Sequence, residues 1–382
     1  MYDVKSIEVV PVDLANPTAL VPAVERAIAG GSALLPVPAH DRARTEILRN
    51  AMRINDPIDD EISVIMSTSG STGTPKGAQL TAANLISSAD ATHQHLGGPG
   101  QWLLALPAHH IAGLQVITRN LVAGVEPLAL DLSAGFDVDA FLTASRELKE
   151  TGDRIYTSIS PMQLTKALER VTGIEALRLY DAILVGGAAV HPKDLEACSK
   201  LGISVVTSYG SSETAGGCVY DGRALPGAQV RVQDGRIYLG GPMIAHGYRN
   251  HPDHEAFAEE GWFATTDCGV LDNDLLTITG RLDSVIITGG LKLHPEVLER
   301  ELTTIAGVDS ACVVGVPHPR FGQAVCAVYE GSAEVDEVFD ALDHLPRWQL
   351  PKDLRRLAEI PRIGPGKVDR TGVEKLFNPR AD

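Results

Sequence analysis

Between Glu61 and Gly210, short β-rich runs alternate with helix-like segments, and each run ends in a loop holding Gly, Ser or His. This alternation constrains the fold more than any other feature, because strands separated by helices pair in parallel through crossovers that cover the sheet. The candidate strands are Ser63 to Met66, Trp102 to Leu106, Ile155 to Ile159, Ile183 to Val185 and Val205 to Ser208. Open sheets of this class bind ligands beyond the carboxyl ends of their strands. The loops that follow these runs are therefore where a site is expected.

Residues 222–280 have a different character, with close β-like runs (Gln229 to Val232, Arg236 to Leu239, Leu275 to Ile278) and the turn dipeptide Asp234-Gly235. They predict a small antiparallel subdomain. After Gly280 come a strand (Val285 to Ile287), a helix opened by Pro295, strands Ala311 to Val316 and Ala324 to Tyr329, and a helix from Val335 to Leu342. The predicted class is α/β: a large domain of parallel-sheet α/β layers with an antiparallel β appendage, residues 1–281, followed by an α+β domain, residues 282–382.

Charge narrows the function. Subtracting 49 acidic from 33 basic residues gives −16, which argues against nucleic acid or an anionic membrane as the partner. No run approaches the ~18 apolar residues of a membrane span, and MYDVKSIEVV lacks the basic-then-apolar order of an export signal. A cytoplasmic protein without membrane insertion is expected. Cys198, Cys218, Cys268, Cys312 and Cys326 form an odd set with no C-x-x-C pair, consistent with free thiols in a reducing compartment. Lysine is scarce, 10 against 23 arginines, so Lys76 and Lys367, each inside a glycine-containing segment, stand out.

The most informative segment is TSGSTGTPKG, Thr68 to Gly77, between a β-like run and a helix expected near Thr81. Its three glycines let backbone N–H groups approach a ligand. Its five hydroxyls donate to oxyanions and Lys76 adds charge, so the loop suits a polyphosphate. It is not a Walker loop, because Lys76 follows Pro75 and precedes Gly77.

The string resembles the phosphate-binding signature of the adenylate-forming enzymes: acyl- and aryl-CoA synthetases, adenylation domains of peptide synthetases, and luciferases. Further segments support the resemblance in the same order, from Thr68 to Arg370. It implies that Ser69, Gly70, Ser71, Thr72, Gly73, Thr74 and Lys76 hold the phosphates of ATP. VGGAAV would border adenine through Gly187 and Ala188. In SYGSSET, Tyr209 would stack on adenine beside Gly210, Ser212 would approach the α-phosphate, and Glu213 with Thr72 would hold Mg²⁺. Asp267 in WFATTDCG and Arg281 in GRLDSVIITGG match the residues that reach the ribose, and Asp283 matches the hinge of a mobile C-terminal domain. PRIGPGKVDR matches the segment carrying the catalytic lysine, here Lys367. Coenzyme A would be the acyl acceptor, its pantetheine passing Gly289 and Gly290.

Selectivity is expected in LPAHHIAGLQVITRN, Leu106 to Asn120. His110 matches a position at the wall between acyl pocket and CoA tunnel; His109 receives no role. From Leu114 the segment reads as an apolar helix interrupted by Arg119, and an arginine beside an acyl pocket implies an anionic substrate group. The stretch resembles that of o-succinylbenzoate–CoA ligases of menaquinone biosynthesis, whose substrate has two carboxylates. Ser208 and Gly187 to Ala189 would line the same cavity.

Three departures stand against the family pattern. Only 67 residues precede Thr68, so the usual front subdomain is expected to be missing or condensed. Leu291 and Val297 replace acidic positions. The competing readings are another aryl- or acyl-CoA ligase, a stand-alone adenylation enzyme, or a degraded adenylate-binding scaffold, and a homodimer stays open.

Overall fold

The computed structural model describes residues 5–68, 74–363 and 367–378, with Ile363 and Lys367 described by their backbone. The chain divides into two compact units, Met1–Arg231 with Tyr238–Ala264, and Val232–Ile237 with Thr265–Asp382. This division falls ahead of residue 281, because most of the two strands before the expected boundary clusters with the C-terminal residues.

In the first unit all five anticipated strands exist, but they belong to two sheets. Ile155–Ile159, Ala182–Gly186, Val205–Ser211 and Gln101–Leu104 lie in a seven-stranded sheet. Its parallel block also includes Leu128–Ala129, and Gly216–Tyr220 and Arg223–Ala224 continue it antiparallel beyond Val205–Ser211. Ile62–Thr68 instead joins a four-stranded sheet after Ile7–Val12 and Ala33–Pro38. Neither front strand was anticipated; ALLPVP is buried almost throughout and carries prolines, so it shows no alternation.

The phosphate segment is also followed first by a strand. Lys76–Thr81 folds back antiparallel on Ile62–Thr68, and the expected helix, Ala82–Leu96, begins immediately after it. Thr81 caps that helix through a capping box with Asn84, and Ser160 does the same with Gln163 for Pro161–Leu168. Leu103, Phe141, Ile155, Ile183 and Val185 form the centre of a continuous apolar core under the large sheet.

A four-stranded sheet contains Gln229–Gln233, Arg236–Gly240, Trp262–Asp272 and Leu275–Arg281 in that order. Asp234 and Gly235, and then Asn273 and Asp274, take positive φ at both central turn positions. That geometry suits two-residue hairpin turns.

In the second unit the long hairpin Val308–His318 and Gly322–Gly331 is buried on both faces. Val313, Val325, Ala327 and Tyr329 belong to one core cluster, and Cys312, Val314, Cys326 and Val328 to the other. The period of two splits the side chains between them. Ile286–Thr288 and Leu291–Leu293 extend this sheet, and Asp353–Arg356 adds a parallel strand.

All five cysteines are buried and unpaired. Burial pushes the thiols of Cys198 and Cys326 up to about 11 and those of Cys218 and Cys312 to about 12, so they are inert at neutral pH. No helix among the described residues is long and apolar enough to cross a membrane.

Candidate active site

The antiparallel register places Lys76 opposite Thr68, so the two residues form the feet of the predicted phosphate loop. Ser69, Gly70, Ser71, Thr72 and Gly73 lie outside the described residues; Thr74 is exposed. Gly77 has a packing reason of its own, since a Cβ there would meet Met52 Sδ at 2.2 Å and Ile65 Cγ2 at 2.8 Å. Lys76 Nζ lies 2.9 Å from His254 Nε2 and 5.0 Å from the centre of the Tyr248 ring. Asn250 steadies the loop foot, accepting from Gly77 N at 3.2 Å and donating to Pro75 O at 2.9 Å. Tyr248, Asn250 and His254 were not anticipated; GYRNHPDH, with an aromatic, an amide and two histidines in eight residues, was the available signal.

Glu213 sits in the short helical turn Ser212–Thr214 at the end of Val205–Ser211. The residue is 7% exposed and its Oε1 accepts from Tyr248 Oη at 2.7 Å. Ala215, next in line, holds a left-handed backbone with φ 49°, and its carbonyl accepts from Gln115 Nε2 at 2.7 Å and Ser88 Oγ at 2.9 Å. A non-glycine residue in that region persists only when its surroundings fix it. The turn presenting Ser212 and Glu213 is thus anchored from two helices.

The ends of neighbouring parallel strands bring further predicted residues to one sheet edge. Gly186 pairs with Ser208, and Ser158 with Leu184. Gly187, with φ 84° and open space around it, Ala188 and Ala189 are exposed just beyond their strand. Tyr209 pairs with Val219. Gly210 is required by strand packing, because a Cβ would lie 2.1 Å from Gly216 O.

The selectivity helix runs Ile111–Ala123, starting one turn earlier than its apolar pattern suggested, with His110 as its N-cap. Burial, and then the charge of Arg44, lower the pKa of His110; burial pushes His109 down to about 3. The rings lie 4.3 Å apart, and His109 Nδ1 is buried with no partner. Both are therefore neutral at pH 7 and act through shape and hydrogen bonding.

Arg119 is 2% exposed. Nη1 donates to Ser158 Oγ and Nη2 to Tyr220 Oη, both at 3.4 Å, and Cζ stands 4.6 Å from the Trp102 ring centre. Nε has no partner, and no carboxylate pairs with this guanidinium among the described residues. Burying a guanidinium without an anion is costly, and its hydrogen-bond partners among the described residues are two hydroxyls. Trp102, Ser158 and Tyr220 could not be assigned from sequence, since Tyr220 lies 101 residues from Arg119.

In the second unit Asp267 and Arg281 face each other in register, with Nη1 and Oδ1 3.5 Å apart. Arg281 also clamps Asp283 through two bonds of 2.8 and 2.7 Å and donates to Thr266 Oγ1 at 2.8 Å. Asp283 is the main reason its pKa is raised. The predicted ribose pair and the predicted hinge residue thus form one charged cluster. Gly289 and Gly290 take φ 59° and 81° in the turn joining Ile286–Thr288 to Leu291–Leu293, with open space where side chains would be. That turn needs glycine whether or not a ligand passes it.

Lys367 pairs with Ile363 in the hairpin Arg362–Ile363 and Lys367–Val368; the ammonium lies outside what is described. Both feet of the hairpin are anchored. Arg362 donates to Glu330 at 2.9 and 3.2 Å. Asp369 caps the helix Arg370–Phe377, and Arg370 forks onto Glu299 at 2.6 and 2.9 Å. Val297 is exposed, while its neighbour Glu296 accepts from Ser284 Oγ at 2.8 Å and from Arg370 at 3.4 Å.

The described residues contain no group of three or more His, Cys, Asp or Glu able to cage a metal. Glu213 offers one buried carboxylate beside the phosphate-loop foot. This donor set suits a magnesium ion sharing its shell with water and phosphate, as that ion usually does.

A family model described as "AMP-binding enzyme" matches residues 12–249, and one described as "AMP-binding enzyme C-terminal domain" matches residues 298–367. The chain is 43% identical over 374 residues to a "Probable 2-succinylbenzoate--CoA ligase" from Mycobacterium tuberculosis, covering 95% of this chain and 96% of that protein. It is 31% identical over 334 residues to a "2-succinylbenzoate--CoA ligase" from Listeria monocytogenes, covering 81% and 69%. Its fold matches that of ATP-bound MatB from Rhodopseudomonas palustris with a TM-score of 0.85 at 24% identity, covering 98% and 89%. A phosphate-loop hairpin, a buried glutamate turn, an Asp–Arg pair and a lysine hairpin in this order, matched along nearly the whole length, make the chain a member of the AMP-binding enzyme family.

Proposed function

We propose that the chain is an ATP-dependent, AMP-forming acid–CoA ligase that converts 2-succinylbenzoate (o-succinylbenzoate) to its CoA thioester for menaquinone biosynthesis, in the cytoplasm. The observation that carries the substrate class is Arg119, a buried guanidinium in the helix behind the His109-His110 loop that has no carboxylate partner among the described residues. A substrate with two carboxylates fits this arrangement: one is activated, and the other supplies an anionic partner for the Arg119 guanidinium. The names of the Mycobacterium and Listeria relatives support the same reading.

A carboxylate is a poor acyl donor because oxide is a poor leaving group, and a mixed anhydride with AMP removes that obstacle. The acid's carboxylate attacks the α-phosphate, and pyrophosphate departs along the Thr68–Gly77 loop. Lys367 and the loop hydroxyls, Thr72 among them, neutralise the developing charge. Lys76 holds the leaving pyrophosphate, while Asp267 and Arg281 fix the ribose. Tyr209, Gly210 and the Gly187–Ala188 strand end border the adenine, and Ser212 is directed to the α-phosphate. Glu213, held by Tyr248, and Thr72 would ligate Mg²⁺, which supplies Lewis-acid neutralisation of the phosphate oxygens. Turning about Asp283, the C-terminal domain then exchanges Lys367 for the Gly289-Gly290 turn, past which pantetheine enters. Its thiol displaces AMP. His110 stands at the wall between acid and thiol.

A substrate panel tests the assignment. With ATP and CoA, 2-succinylbenzoate is expected to release pyrophosphate at least tenfold faster than benzoate, malonate or a fatty acid at equal concentration. Faster release with a simple monocarboxylate would transfer the assignment to another aryl- or acyl-CoA ligase, and no release with any acid would favour an adenylate-binding scaffold.

A further inference from the structure

His254 carries the further inference. Its Nδ1 accepts the backbone N–H of Ala256 at 3.1 Å, and its Nε2 lies 2.9 Å from Lys76 Nζ. A backbone N–H only donates, an ammonium only donates, and a neutral imidazole has one donor and one acceptor nitrogen. With Nδ1 accepting, the ring proton sits on Nε2 and points at the lysine. Moving it to Nδ1 sets it against Ala256 N–H instead. Either way, one donor faces another. An acceptor beside Lys76 resolves the conflict, because the ammonium can turn onto it while Nε2–H donates to the same group.

Among the described residues, Glu213 and Glu255 reach His254 only through their charge, and neither is within hydrogen-bond distance of the Lys76 ammonium. Lys76 makes no ion pair among the described residues, and its other close neighbour is the face of Tyr248. The Tyr248 ring also meets His254 edge-on at 4.9 Å, which fixes the plane of the imidazole. Lys76 ends a loop of glycines and hydroxyls, so the missing acceptor has the chemistry of a phosphate oxygen.

We propose that His254 is a second phosphate-binding side chain, whose Nε2–H joins Lys76 on the terminal phosphates of ATP and on the departing pyrophosphate. This rests on the reading of Lys76 as a phosphate lysine and on no particular acid.

The test is calorimetric titration of the full chain, without acid or CoA, by magnesium pyrophosphate and separately by AMP. His254→Ala should weaken pyrophosphate binding about tenfold, the value of one hydrogen bond to a charged group, and leave AMP binding within about twofold of the original. His254→Gln, which keeps a side-chain N–H donor, should recover most of the loss. In turnover, KM for ATP should rise in His254→Ala while KM for the acid stays unchanged. Unchanged pyrophosphate affinity, an equal loss for AMP, or no recovery by glutamine would each overturn the assignment. An original chain that binds AMP but not pyrophosphate would remove the phosphate role of Lys76 as well, which separates that failure from this one.

Discussion

Replacing Lys367 by alanine is expected to slow pyrophosphate release by about two orders of magnitude or more, the scale on which preorganised charge acts at a developing oxyanion. Acyl-adenylate supplied directly should still react with CoA at nearly the original rate, because the proposed mechanism gives the lysine no part in that half-reaction. The variant should fold normally. Its hairpin is held by the Arg362–Glu330 and Arg370–Glu299 pairs and the Asp369 cap, none of which involves the substituted ammonium. The two half-reactions are measured separately, by pyrophosphate release without CoA and by thioester formation from the adenylate. An equal loss in both would contradict a lysine that serves only the first.

Arg119→Met should separate activity from stability. With 2-succinylbenzoate, kcat/KM is expected to fall about a hundredfold, as when a charge-assisted hydrogen bond to a buried group is removed. An aryl acid without the second carboxylate should be used as well as before. The melting temperature should hold or rise, since methionine fills the space against Trp102 and removes a buried charge whose Nε has no partner. An arginine kept for the fold would behave oppositely, losing stability and harming all acids alike. Thermal unfolding and an acid panel on one preparation distinguish the two.

Much of the fold was legible because apolar runs ended in turn residues. Ile155–Ile159 was bounded correctly, and the helix expected near Thr81 and the helix opened by Pro295 begin at Ala82 and Pro295. Of the two front strands, Ala33–Pro38 was not legible because a buried parallel strand has no alternation to read. Trp262–Asp272 was hidden for another reason: its Thr265 is buried, with Oγ1 donating to Ile237 O, so a polar residue stands where an apolar one would mark the strand. The site divided along similar lines. Residues within one contiguous motif could be named from the chain, whereas the partners that orient them come from far away, His254 being 178 residues from Lys76 and Tyr248 35 from Glu213. Glycines carried a mixed message: Gly187 is open and strand-terminal, whereas Gly210 and Gly77 are demanded by packing.

The net charge of −16 sharpens the electrostatic account. ATP, CoA and a dicarboxylate are all anions, so affinity must be local. In the first unit the proposed role falls to Lys76, His254 and Arg119, the last of which has no acidic partner among the described residues.

The central claim is that an acid is activated as its adenylate before it meets CoA. Quantifying every product of one reaction containing 2-succinylbenzoate, ATP and CoA tests it most directly. One AMP and one pyrophosphate should appear per thioester, and pyrophosphate release should persist as a single turnover when CoA is left out. ADP and inorganic phosphate in their place, or thioester formed without AMP, would contradict it.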